Sequence, residues 1–152
     1  DQGETRPVLD RARAWYVSQP LDIDRMTLAA EDFVGTHAYN AYTSGRQVNT
    51  WRSVHDFAVW RVGGSVHLQV EANAFLYRMV RRMVADLVRV GRGVMEISDI
   101  KDALKLGLRL KVQDCAPANG LTLLHVQYPD RDSRYNVPHL IGDELHSLQG
   151  RK

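Results

Sequence analysis

Residues 75–93 read FLYRMVRRMVADLVRVGRG, and their apolar members fall in pairs at Phe75/Leu76, Met79/Val80, Met83/Val84 and Leu87/Val88. Recurrence every four residues paints one broad apolar stripe on a helix, so the spacing predicts a helix over Phe75–Gly93 with one face in a core. Arg78, Arg81, Arg82 and Arg89 lie beside or opposite the stripe, and Arg92 follows Gly91. Against these stands a single acid, Asp86. Two readings of the charged face follow: a solvated surface, or guanidinium groups presented to phosphates or carboxylates, which arginine suits better than lysine.

Outward from this helix, Ser65–Ala72 alternates Val66, Leu68, Val70 and Ala72 with polar positions, as a strand with one buried face does. Arg52–Val62 is a second strand, joined to the first at Gly63-Gly64, where a hairpin needs residues free to take positive φ. Asn73 follows as a possible helix cap. Upstream, Ala14–Val17 reads as a short strand ended near Pro20. Asp22 or Asp24 can cap a helix whose inner face carries Met26, Ala29, Ala30 and Phe33, with Gly35 as its stop. Residues 36–50, THAYNAYTSGRQVNT, are expected to form a loop. Tyr39, Tyr42 and Arg46 within it can stack on bases and bind phosphates, or the two tyrosines can anchor the loop to the core. Downstream, Ser98 with Asp99 can start a helix carrying Ile100, Ala103 and Leu104. Gly107–Gly120 reads as a loop and Leu121–Tyr128 as a last strand. The sum is an α+β fold, an antiparallel or mixed sheet with helices on one face. It divides into a polar segment 1–13, one domain over 14–128 and a surface tail over 129–152.

Composition excludes several classes. The chain has 152 residues and a net charge of +2, too small by itself to imply a polyanionic partner. Distribution says more, because arginine outnumbers lysine four to one and clusters on the central helix. No run approaches the roughly 18 apolar residues of a membrane span. One cysteine, Cys115, excludes an intrachain disulfide and fits an intracellular, reducing compartment, either cytosol or an organelle matrix or stroma. His37, His55, His67, His125, His139 and His146 lack ligand spacing, so no metal site is expected. The chain starts at Asp1, so a trimmed product or a fragment is expected.

Several segments in order resemble TruA-type tRNA pseudouridine synthases. Phe75–Arg81 is similar to that family's hallmark helix. Gln19–Met26 is similar to its segment entering the C-terminal half, and Phe33–Tyr42 to its Gly-x-His-Asp-Phe-x-x-Phe. Thr50-Trp-Arg52 is similar to its Thr-x-Arg, Ala116–Leu121 to its final loop and strand, and Tyr128-Pro-Asp-Arg131 to its end. The resemblance covers the family's C-terminal half only. It implies a cleft between two α+β halves, dimeric assembly, uridine isomerisation in the tRNA anticodon arm, and no cofactor. In the family an aspartate of the N-terminal half attacks the nucleotide, and the arginine of Met-Val-Arg, here Arg81, pairs with it. Phe75, Tyr77 and Met79 match cleft-wall positions, and Arg78, Arg82 and Arg89 join Tyr39, Tyr42 and Arg46 as expected RNA contacts.

There are departures. The Arg-Thr-Asp element is absent, and none of Asp32, Asp56, Asp86 or Asp114 has that context. Ala38 replaces the aspartate of His-Asp-Phe, Arg82 stands where asparagine is usual and Ala85 where glycine is usual. Val112-Gln-Asp-Cys115 departs from Ala-Gly-Pro-Thr. The helix is therefore expected to expose one cation more than the active enzymes do, and the chain alone to be inactive. The expected partners are RNA, tRNA first, and a catalytic N-terminal half in the same or another chain. The alternative is a non-catalytic RNA-binding or structural subunit of a larger ribonucleoprotein or organellar complex.

Overall fold

The computed structural model describes residues 13–44, 48–108 and 115–128. Three antiparallel strands lie in the order β1 (Gly35–Ala38), β2 (Trp51–Val62) and β3 (Ser65–Ala72). Three helices accompany them: α1 (Ile23–Glu31), α2 (Met79–Gly91) and α3 (Ile97–Leu106). This is the α+β class that the alternation of patterns predicts. Among the described residues no helix is long and apolar enough to cross a membrane.

The hairpin forms where the glycine pair predicts it, with Val62 opposite Ser65. Only Gly63 takes positive φ, at +57°, as a two-residue turn with glycine first requires. Further along, β2 carries a bulge at His55: Val54 pairs with Ala72 and Asp56 with Glu71, so two steps on β2 meet one on β3. The extra residue resets the alternation, and Val54 and Phe57, three apart, are both buried. At the far end the ladder is closed by Asn73. Its N–H donates to the Ser53 carbonyl at 3.0 Å, and its side-chain oxygen accepts from the Ser53 N–H at 3.0 Å. That side chain finishes the sheet instead of capping α2.

Helix α1 is capped by Asp22, whose carboxylate accepts from the Arg25 N–H at 3.0 Å. Met26, Ala29, Ala30 and Phe33 are buried as the spacing predicts. The helix stops at Glu31, with Asp32 as its C-cap, and Gly35 at φ +111° opens β1 instead of closing α1. α3 starts at Ile97, one residue before the expected Ser98. Glu96 is its N-cap in a reciprocal capping box with Asp99, and Gly107 closes it in the left-handed conformation. Ile100, Ala103 and Leu104 point into the core.

The expected loop 36–50 is more ordered than its composition suggests. Residues 36–38 belong to β1, and Asn40–Tyr42 form a 3-10 turn with Ala41 and Tyr42 buried. Two expected strands do not form. Ala14–Val17 has no ladder, and the Ala14 carbonyl accepts instead from the Asn119 side-chain amide at 3.2 Å. Leu121–Tyr128 is exposed at every position and has no partner strand among the described residues. Apolar residues in a row make a strand only where a neighbour takes their backbone bonds. The described residues up to Leu121 form one compact unit, and Thr122–Tyr128 fall in a second.

Candidate functional site

The largest departure from the sequence pattern is at the start of α2. The helix begins at Met79, not at Phe75, because Arg78 sits in the left-handed region at φ 62°. It is the one non-glycine residue with positive φ among those described. Such a conformation costs of order 1–3 kcal/mol and persists only where its surroundings hold it. Here Leu76 is buried and its carbonyl accepts from the Met79 N–H at 3.0 Å. The Arg78 carbonyl accepts the first helical bond, from the Arg82 N–H at 3.1 Å. Phe75 and Tyr77, either side of Leu76, are thrown outward at 41% and 58% exposure. The Arg78 guanidinium lies over the Tyr77 ring, 5.0 Å from its centroid. Met79, by contrast, is wholly buried.

Arg81 stands one turn further on and is half-buried. Its Nε donates to the Ala116 carbonyl at 2.6 Å, and the Ala116 N–H donates back to the Arg81 carbonyl at 2.9 Å. A segment 35 positions away thus grips both the backbone and the side chain of one residue. With Nε committed, the guanidinium is fixed in plane. Its Nη1 and Nη2 have no partner among the described residues, and no acid there pairs with Arg78 or Arg81. An arginine held this way presents a two-pronged donor, the geometry that matches a carboxylate or phosphate.

The other expected cations are not on this surface. Arg82 is buried at 8% exposure and its Nη1 donates to the Thr43 carbonyl. It therefore adds no exposed cation, contrary to the expectation from the asparagine it replaces. A side chain long enough to cross to the 3-10 turn satisfies that carbonyl from inside. Arg89 pairs with Asp86 at 3.5 Å, with 17% and 8% of the two side chains exposed. The supposed charged face of α2 is thus folded largely inward. Tyr39 and Tyr42 are wholly buried, which leaves them no ring face for a base. The Tyr39 hydroxyl donates to the Phe33 carbonyl at 2.6 Å, and burial raises its pKa far above the ordinary value. Of the two readings of that turn, anchoring to the core is the one the structure shows. Arg46 lies outside the described residues. Among the described residues no three His, Cys, Asp or Glu side chains are placed to hold a metal.

Sequence reasoning did not single out Thr43 or Ala116 as parts of the site. Thr43 receives Arg82 on its carbonyl and donates its hydroxyl to the Tyr77 carbonyl at 3.4 Å. Both residues act mainly through backbone atoms and across long separations, so no local pattern announces them.

The structure thus sets a half-buried arginine beside an exposed aromatic turn at the start of a helix, where the sequence pattern predicts an unbroken helix. The family model described as tRNA pseudouridine synthase matches residues 29–129. This chain belongs to the TruA-type tRNA pseudouridine synthases. It is 36% identical over 126 residues to a tRNA pseudouridine synthase A of Caulobacter vibrioides, covering 82% of this chain and 51% of that protein. Against the synthase A of Thermoanaerobacter sp. it is 35% identical, over 78% of this chain and 49% of the relative. Against that of Methylacidiphilum infernorum the figures are 39%, 84% and 52%. The chain spans about half the length of the curated relatives it matches.

Proposed function

We propose that this chain is the C-terminal half of a tRNA pseudouridine synthase, forming one wall of the cleft in which a tRNA uridine is isomerised. The observation that carries the reading is Arg81, fixed by Ala116 beside an exposed aromatic turn, with Nη1 and Nη2 unpartnered among the described residues. The reaction needs a carboxylate that is ionised at neutral pH. An aspartate of the N-terminal half, brought against Arg81, would be held charged by a permanent cation in a partly desolvated site. It attacks the nucleotide and frees the uracil, which turns and rejoins through carbon. Phe75 and Tyr77 then line the cleft, while Arg78 meets the phosphate backbone. Arg82, Arg89, Tyr39 and Tyr42 support this surface from within the fold. The chemistry calls for no cofactor. A reducing intracellular setting and pairing of two complete copies fit the same reading.

Intact mass and N-terminal sequencing of the native protein are the first test. The expected result is a chain about twice as long, as the half-length matches suggest, carrying Arg-Thr-Asp upstream. In that protein Arg81→Ala should lower pseudouridine formation on a tRNA transcript by at least about a hundred-fold, the scale of losing one oriented charge-stabilising group. Its circular dichroism should match the parent. Full turnover by the variant would remove Arg81 from the site. A native chain that begins at Asp1 would favour the second reading, a non-catalytic RNA-binding or structural subunit. Phosphate contacts need only charge and shape, so that role survives without the aspartate.

A further inference from the structure

Trp51 is the first residue of β2, and neither the family resemblance nor the sequence pattern gives it a role. The residue is 58% exposed, whereas Phe33, Tyr39, Tyr42 and Phe57 are packed in the core. The backbone beneath it is held on every side. The Trp51 N–H donates to the Asn49 side-chain oxygen at 2.9 Å, its carbonyl accepts from Arg52 Nη1 at 2.6 Å, and it stands opposite Ala38 on β1. An exposed ring on a rigid strand loses little entropy when something stacks on it.

Its position ties it to the candidate site. The Ser53–Asn73 pair closes the β2–β3 ladder with two bonds, both at 3.0 Å. Trp51 lies two residues beyond Ser53 and Phe75 two residues beyond Asn73, so both come off the same end of the sheet. Phe75 is followed by Tyr77 with Arg78 over its ring. Exposed aromatic faces at one sheet end, next to cations with no acid paired to them among the described residues, match a strand of bases and phosphates. An acidic protein surface would satisfy the cations and leave the rings unused.

We propose that Trp51 stacks on an unpaired base of bound RNA and extends the RNA-binding surface from Tyr77 and Arg78 along the end of the sheet. The proposal rests on the RNA-binding reading above and adds a contact to it. Stacking on an aromatic ring is tolerant of base identity, so Trp51 contributes affinity and placement of the strand more than sequence choice.

The test uses the 152-residue chain and a fluorescein-labelled oligouridine, followed by anisotropy at fixed salt. Trp51→Ala should weaken binding by about five- to one-hundred-fold, the range for one base–aromatic stack, while Trp51→Phe retains most of the affinity. Because stacking releases no counterions, the salt dependence should be the same in Trp51→Ala as in the parent. In a Trp15→Phe/Trp60→Phe background the remaining indole emission should be quenched as the oligouridine binds. Parent-like affinity in Trp51→Ala, or an indole unquenched while the oligouridine binds, would overturn the stacking role and leave the RNA reading standing. Absence of any binding by the parent chain would overturn both.

Discussion

At Tyr39 the phenol is buried, yet its hydroxyl keeps a short bond to the Phe33 carbonyl, 2.6 Å long. The bond ties the exit of α1 to the turn after β1, and both rings stand close to Tyr42 and the core. Tyr39→Phe leaves that carbonyl without its donor and should cost about 1–2 kcal/mol in urea unfolding, with an unchanged denaturant slope. Burial also raises the Tyr39 pKa above the ordinary 10.0, so the folded chain keeps this proton where the unfolded chain loses it. Above pH 10 the unfolded state therefore binds fewer protons, and stability falls as pH rises. Below pH 10 the contribution is complete. Tyr39→Phe should lack that component, so the gap between parent and variant should narrow above pH 10. A constant gap would mean that the phenol ionises alike in both states. The sequence showed two tyrosines in a polar loop and could not decide between stacking and anchoring. Burial decided it, and the packing around Tyr42 involves Phe33, just past the end of α1, which in turn meets Phe57 of β2.

Helix α2 shows what periodicity carries and what it misses. Its apolar stripe is real, for Met79, Met83, Leu87, Val88 and Val90 are buried. Its start was misplaced by four residues because the apolar pattern runs through Phe75 and Leu76 without a break. The break lies in the backbone of Arg78, and no sequence rule marks a left-handed arginine. The polar face was misjudged as well, since Arg82 and Asp86 are inside. Partners at Thr43 and along the helix make that possible, and they are visible only after folding. At the other end, Gly91 is where α2 meets α1. A Cβ there would lie 2.6 Å from Met26 Sδ and 2.8 Å from its Cγ, and Met26 is wholly buried, so the side chain must shift within the core. The Gly91 carbonyl also accepts from the Asp22 N–H at 2.9 Å, next to the cap of α1. Gly91→Ala should therefore destabilise by ~1–3 kcal/mol, an overpacking cost that outweighs the small gain in helix propensity. Combined with Met26→Ala, the loss should be less than the sum of the two single losses, because the second change makes room for the first. Additive losses in thermal unfolding would show that the helices accommodate the methyl in another way.

For the molecule as a whole, the net charge of +2 and the fate of the five arginines within residues 75–93 bear on how it meets a polyanion. Arg82 is buried, Arg89 is paired with Asp86 and largely covered, and Arg81 is half-buried and bound to Ala116. Arg78 and Arg92 remain exposed, and of the two Arg78 lies at the candidate site. Binding of a single strand should then depend on few phosphates, and each contact releases about 0.7 counterion. Arg78→Ala should lower affinity for the oligouridine and reduce the slope of log affinity against log salt by about 0.7. Arg89→Ala should leave that slope alone while lowering stability, since it removes an ion-pair partner of the buried Asp86. The two variants remove the same formal charge, so any model in which net charge alone drives binding predicts equal slopes for them. Equal slopes would return Arg89 to the RNA surface and undo the division between outward and inward arginines. Unequal slopes, with the loss at Arg78, would fix the strand against the turn that precedes α2, where Tyr77 and Trp51 can reach its bases.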